Sequence, residues 1–342
     1  MTSRFARLRS EELAGCVIDV HAHLGFSIKA LAALEYPYAQ SAEGLYYRQK
    51  ANGIDVSVVF PFSPELFFDP VAFLEGNAVP AKRPLSAAPF ETENRMILRE
   101  VYEFCPEYRG RFMPFFGIDP GREVARQVAV LEDLAEEYPV YGLKVMATAS
   151  QMPVNRLLEE GRPLLEFARS RNLPLLFHTT ADPDEPYSHP RLCFEVIDEN
   201  PDLRFTLAHC IGFLKDWLDR ADAAPNVWVD TSAFVIQVQA TYENHPIMAG
   251  EADRFSADYR SPADVLRRLV AAYPNTILWG TDSPYYQFIS RRKQGLGEGP
   301  AAFREFRLKA TYEDEKRALD SLSPDDQVRV SNRNTLRFLF GE

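Results

Sequence analysis

Eight short runs rich in Val, Ile, Leu and Phe recur along this chain, most of them followed by a segment with helical spacing, and this recurrence narrows the possible folds more than any other feature. The runs predict strands at 16–21, 56–62, 112–118, 141–146, 174–179, 204–209, 227–231 and 276–281. Their near-continuous apolar character, as in Val56-Ser57-Val58-Val59-Phe60, suits parallel strands covered on both faces. Between them, Val124, Val128, Leu131 and Leu134 form one apolar stripe on a helix over 122–137. Leu164, Leu165, Phe167 and Ala168 do the same within 158–171, as do Val265, Leu266, Leu269 and Val270 within 262–273. Strand then helix, repeated eight times, is the pattern of an α/β fold of the (β/α)8 TIM-barrel type.

A barrel of this kind accommodates all 342 residues as one domain over 1–342. Lys plus Arg number 38 against 49 Asp plus Glu, a net charge of −11. That balance argues against nucleic acid and anionic membrane surfaces as partners and leaves a small-molecule substrate. The four cysteines, Cys16, Cys105, Cys193 and Cys210, are widely spread, as in reduced proteins of the cytoplasm. The basic start leads into Ser10-Glu11-Glu12, and no segment approaches ~20 apolar residues. Neither a signal peptide nor a membrane span is indicated, so a cytoplasmic location is expected.

Three connections exceed plain turns: 63–92, 233–261 and 283–301. All follow a strand and belong at the C-terminal mouth of a barrel, where such loops shape the active site.

The rare polar residues gather at that same end. Of six histidines, His21 and His23 lie at or near the end of the first strand run, His178 of the fifth and His209 of the sixth, and Asp282 closes the eighth. Side chains two apart on a strand point the same way, roughly 6.5–7 Å apart, so His21 and His23 can converge on one cation. A lone His-x-His is equally a surface accident or a hydrogen-bonded core pair; His178, His209 and Asp282 on three other strands turn it into a site. Together His21, His23, His178 and Asp282 offer three nitrogens and one oxygen to a divalent metal. Asp19 reads as structural. Asp230, ending the seventh strand, is either a partner of a ligand histidine or a cap for the following loop. His189 and His245 read as solvated loop residues.

In order, Ile18-Asp19-Val20-His21-Ala22-His23, Tyr141-Gly142-Leu143-Lys144-Val145, Leu173-Pro174-Leu175-Leu176-Phe177-His178-Thr179, Phe205-Thr206-Leu207-Ala208-His209 and Ile277-Leu278-Trp279-Gly280-Thr281-Asp282-Ser283-Pro284 resemble the amidohydrolase superfamily, and within it the amidohydrolase-2 group of hydrolases and decarboxylases. The tail Asn334-Thr335-Leu336-Arg337-Phe338-Leu339 is similar to that group's closing helix. The resemblance implies a divalent metal, most often zinc, on His21, His23, His178 and Asp282. A water held there loses a proton near neutral pH. Asp282 would orient that water and shuttle its proton, and His209 would polarise the scissile carbonyl. Lys144 either is carboxylated and bridges two metals, with His178 and His209 on the second, or stays unmodified beside a single ion. Tyr285, Tyr286 and Arg291 are candidate substrate contacts, with solvation the alternative for Arg291. The expected reaction is hydrolysis of a C–O or C–N bond in a lactone, ester or amide; the alternative is non-oxidative decarboxylation of an aromatic or unsaturated acid. A homodimer is the expected assembly.

Overall fold

The computed structural model describes residues 4–245, 247–293 and 303–341. All eight predicted strands are present: β1 (Ile18–His23), β2 (Val56–Phe60), β3 (Phe112–Ile118), β4 (Gly142–Val145), β5 (Leu175–Phe177), β6 (Phe205–Leu207), β7 (Val227–Asp230) and β8 (Ile277–Leu278). They pair in chain order, each parallel to the next. β8 is short, but the chain beyond it continues beside β1. Val20 N donates to Trp279 O (3.1 Å), Asp282 N to His21 O (2.8 Å) and His23 N to Ser283 O (2.7 Å). These bonds join last strand to first, and the fold is the expected TIM barrel.

Which side chains enter the barrel follows from the two-residue period of a strand. Val56, Val58 and Phe60, Leu176, Trp228 and Leu278 share one interior cluster, while Val59, Leu175, Phe177, Val227, Val229 and Ile277 pack outward with the helices. The same alternation turns Lys144, His178, Asp230 and Asp282 inward. β1 departs from it. Ile18 and Val20 belong to the interior cluster, yet the His21 and His23 rings also pack on Phe60, 4.9 and 4.7 Å between centroids. The pairing with β2 slips between Asp19 and Ala22, which places one extra residue on β1. That bulge reverses the alternation, so two apolar residues and then two histidines face the same interior.

β1 also begins two residues later than the 16–21 reading and ends on His23 rather than His21. The stretch before it is held by side chains: Val17 N donates to Asp55 Oδ2, and Asn332 Nδ2 donates to Cys16 O. At the closed end of the barrel, Leu13, Phe338 and Leu339 join the interior cluster. The Phe338 ring lies 6.3 Å from Phe115 and 5.9 Å from Trp228. Gly142 leaves room for Phe115, since a Cβ there would come within 2.4 Å of that ring.

The helices Val124–Glu137, Arg162–Ser170 and Pro262–Ala272 stand where their stripes predict them. The three long connections carry more regular structure than their sequences announce. The first contains the helix Pro70–Leu74 and a small cluster of Phe67, Phe68, Phe73 and Ala78. The second contains the helix Phe234–Tyr242. The third contributes β9 (Phe288–Lys293), antiparallel to β10 (Phe303–Leu308); residues 294–302 are outside the described set. No helix among the described residues is long and apolar enough to cross a membrane.

Phe338→Ala removes a fully buried ring from the closed end of the barrel. It is expected to lower the unfolding free energy by about 3–5 kcal/mol, read as a shift of the chemical denaturation midpoint, while leaving metal binding at the opposite end intact.

Candidate metal centre

His21 and His23 enter from β1 and Asp282 from the turn after β8, where its backbone takes a φ of 60°. All three are buried, and one donor atom from each lies within 4.8 Å of the others. His21 Nε2 and His23 Nε2 are each 3.1 Å from the same oxygen, Asp282 Oδ1. The remaining nitrogens are committed elsewhere: His23 Nδ1 lies 3.1 Å from the carbonyl oxygen of Pro61 and His21 Nδ1 lies 2.9 Å from Asp230 Oδ2.

These partners fix the hydrogens. A carbonyl oxygen only accepts, so His23 carries its hydrogen on Nδ1 and turns a lone pair toward Asp282. Burial, the largest influence, pushes the His23 pKa down to about 4, so the ring is neutral. Asp230 and Asp282 are both ionised. Burial opposes their charge, but His21 beside each outweighs it and holds both carboxyls well below the usual range. Asp230 therefore takes the Nδ1 hydrogen of His21. Burial and Lys144 disfavour charge on His21, yet Asp230 and Asp282 prevail and raise its pKa. Three acceptor atoms thus meet at one buried point, an arrangement that needs a shared cation. In the protein alone a proton on His21 Nε2 meets that need. Two neutral imidazoles and a carboxylate are also an ordinary ligand set for a divalent metal, so the residues fit the group.

Asp230 takes both positions read for it, facing His21 Nδ1 through Oδ2 and capping the chain after β7 through Oδ1. Oδ1 accepts from Ser232 N (2.9 Å) and Ser232 Oγ (2.5 Å). Asp19 is structural, as expected: it accepts from Thr281 N, Thr281 Oγ1 and His21 N, tying β1 to the segment that carries Asp282.

His178 and His209 line the same cavity but stand apart from the three-residue group. His209 begins a run of five residues with positive φ, His209 to Phe213, a conformation costly for non-glycine residues and frequent at functional sites. Ser232 Oγ spends its hydrogen on Asp230, so His209 Nδ1 donates to Ser232 O (3.1 Å) and Ser232 Oγ (2.9 Å). Burial lowers the pKa of His209 and keeps it neutral. Its Nε2 then accepts from His178 Nδ1 at 3.1 Å, which leaves His178 Nε2 as an open acceptor. His209, expected to act on a carbonyl, also selects the tautomer of His178 whose Nε2 is free to ligate a metal.

Lys144 is fully buried, with Nζ 3.3 Å from His21 Nε2. Burial, only partly offset by Asp230 and Asp282, lowers its pKa to about 7. Tyr285 lines the cavity, its ring 5.2 Å from that of His23. Tyr286 packs instead against Tyr312 and Arg48 and takes no part in the lining. Arg291 gives backbone to β9; its side chain lies outside the described residues. His189 and His245 border an adjoining cavity with Trp217 and Asp253, and His189 caps the helix Pro190–Glu199 by accepting from Arg191 N.

The metal-side cavity measures about 280 Å³. Much of its outer wall is apolar, from Met146, Ile236, Met248, Phe288 and Leu308, with Gln237 among them. Ile236, Gln237, Met248 and Phe288 come from the long connections, Met146 from the turn after β4 and Leu308 from β10, and none was singled out in the sequence, since nothing in a Met or Ile marks it as a pocket residue. Ser232 was missed for the same reason. Asp230→Ala frees His21 to rotate and is expected to weaken divalent-metal affinity by about 10–100-fold, measured by competition with a metallochromic chelator.

The family model for amidohydrolases matches residues 18–341. No curated protein matches the chain. Among solved structures it is similar to 5-carboxyvanillate decarboxylase from Sphingomonas paucimobilis, at 14% identity and a TM-score of 0.56 over 95% of this chain and 98% of that one. A probable 2-pyrone-4,6-dicarboxylic acid hydrolase from Acinetobacter baumannii gives 13% and 0.52 over 95% and 99%. A 5-carboxyvanillate decarboxylase from Novosphingobium aromaticivorans, holding manganese, gives 13% and 0.56 over 98% and 99%. At these identities the likeness speaks for the fold, and the family match, covering nearly the whole chain, shows that this protein belongs to the amidohydrolases.

Proposed function

We propose that this amidohydrolase is a mononuclear metal-dependent hydrolase that cleaves a C–O or C–N bond in an uncharged, largely apolar small molecule such as a lactone, ester or amide. The observation that carries this reading is the cavity itself. A buried set of metal-ready acceptors stands at its base, and its outer wall is built mainly from Met146, Ile236, Met248, Phe288 and Leu308. Such a wall favours an apolar body, and the Gln237 carboxamide offers one neutral hydrogen-bonding group to it.

His21, His23 and Asp282 would hold the ion, with His178 Nε2 as the fourth donor; zinc suits this set, and manganese is the alternative ion. When bound, the ion supplies Lewis acidity and acidifies water. Asp282, kept ionised, accepts the proton of the attacking water and returns it to the leaving oxygen or nitrogen. Its second oxygen, Oδ2, lies 4.0 Å from His209 Nδ1. His209 holds His178 in place and excludes the other tautomer. Lys144, with a depressed pKa and its amine against His21, stays unmodified and supports a single ion rather than a carboxylated bridge between two.

The test is an activity screen of the metal-loaded protein on apolar lactones, aryl esters and anilides beside hydroxylated aromatic acids. Base consumption with the first set is expected, together with a loss of at least roughly a hundredfold in kcat for Asp282→Asn. Release of CO2 from the acids, with the neutral substrates inert, would transfer the assignment to decarboxylation.

A further inference from the structure

The metal-side cavity has a neighbour of about 380 Å³, whose lining includes His189, Leu214, Trp217, His245 and Asp253. Ala181 and Met248 border both cavities and so stand between them. At Ala181 the partition is fixed. A Cβ on Gly212 would come within 2.4 Å of the Ala181 Cβ, so those two segments already touch. Met248 is the movable part. Its backbone is held, Met248 N donating to His245 O (3.0 Å) and Ala249 N to Gly212 O (3.1 Å), but its side chain is unbranched and adapts its rotamer to what lies beside it.

The second cavity offers different chemistry from the first. His189 Nδ1 accepts from Arg191 N at the start of the helix Pro190–Glu199. Burial lowers the pKa of His189, so the neutral ring carries its hydrogen on Nε2. Trp217 stands edge to face with that ring, 6.0 Å between centroids, and is backed by the stacked ring of Phe194 at 5.5 Å. Among the described residues neither His189 Nε2–H nor Trp217 Nε1–H has an acceptor, and neither nitrogen is closed off from the surface. Two such donors beside an indole suit an aromatic group that carries acceptors, and Asp253 on the lining disfavours an anion there.

We propose that the two cavities form one bipartite substrate site: a neutral aromatic group bearing hydrogen-bond acceptors lies against Trp217 and His189, while the rest of the same molecule reaches past Met248 to the metal centre. This assignment rests on the metal-side cavity being the reaction site proposed above, and it extends the uncharged substrate by a second, more polar half. Trp217 and His189 then select the substrate at a distance from the bond that breaks, and the Met248 side chain sets how wide the passage is.

Hydroxamic acids, which chelate a metal ion themselves, test the site without turnover. Isothermal titration of the zinc-loaded protein compares acetohydroxamate with longer hydroxamates that end, after a methylene chain of graded length, in an anilide or in a cyclohexyl group. At the best chain length the anilide is expected to bind at least roughly tenfold more tightly than its cyclohexyl counterpart. It is also expected to change the intrinsic fluorescence where acetohydroxamate does not, because Trp217 is the least buried of the three tryptophans. Trp217→Phe is expected to remove the fluorescence change and most of the preference. Met248→Phe, which stiffens and narrows the passage, is expected to weaken the anilide and leave acetohydroxamate unchanged. Acetohydroxamate binding with no anilide preference at any chain length, or a preference untouched by both variants, would overturn the bipartite site while leaving the metal centre standing. Failure of acetohydroxamate itself to bind would remove the metal-centre reading and the bipartite site with it.

Discussion

Everything at the mouth of this barrel is arranged around one carboxylate oxygen shared by two imidazole nitrogens. Asp282 Oδ1 stands 3.1 Å from both His21 Nε2 and His23 Nε2. The other nitrogen of each ring is tied to a carboxylate or a carbonyl, so acceptor faces acceptor in a buried space unless a cation stands among them. The rest of the site serves that convergence. Asp230 fixes one ring, Pro61 O the other, and Asp19 holds the strand bearing the histidines to the segment bearing Asp282.

The barrel supplies the convergence through simple geometry. Inward positions recur every second residue along each strand, so residues such as Lys144, His178, Asp230 and Asp282, far apart in the chain, arrive at one level of the interior. The bulge in β1 is the local exception on which the site depends. Without it, the strand that buries Ile18 and Val20 in the interior would turn His21 and His23 outward.

Much of this is legible in the sequence. The eight apolar runs and their intervening stripes suffice for the barrel, and the concentration of His21, His23, His178, His209 and Asp282 at strand ends points to the end of the barrel where their side chains gather. The bulge is not legible, because Asp19 to Ala22 read as an ordinary strand and the slip appears only in the pairing with β2. Nor are the hydrogen-bond roles. The same Asp230 suits a ligand's partner or a loop cap, and the separation of His178 from the three-residue group rests on the rings' positions rather than on spacing. Tyr285 and Tyr286 are adjacent and chemically alike, and only the turn of the chain sends one to the cavity and the other to Tyr312. The apolar wall of the cavity comes in good part from long connections whose Ile236, Met248 and Phe288 look like any core residue until the fold places them.

The central claim is that three buried acceptors hold a single divalent ion. Elemental analysis after saturation with zinc or manganese and exhaustive dialysis tests it most directly, comparing the native chain with the His21→Ala, His23→Ala double variant. The account expects one equivalent per chain in the native protein and none in the variant. No retained metal, two equivalents, or one equivalent surviving the loss of both histidines would contradict it.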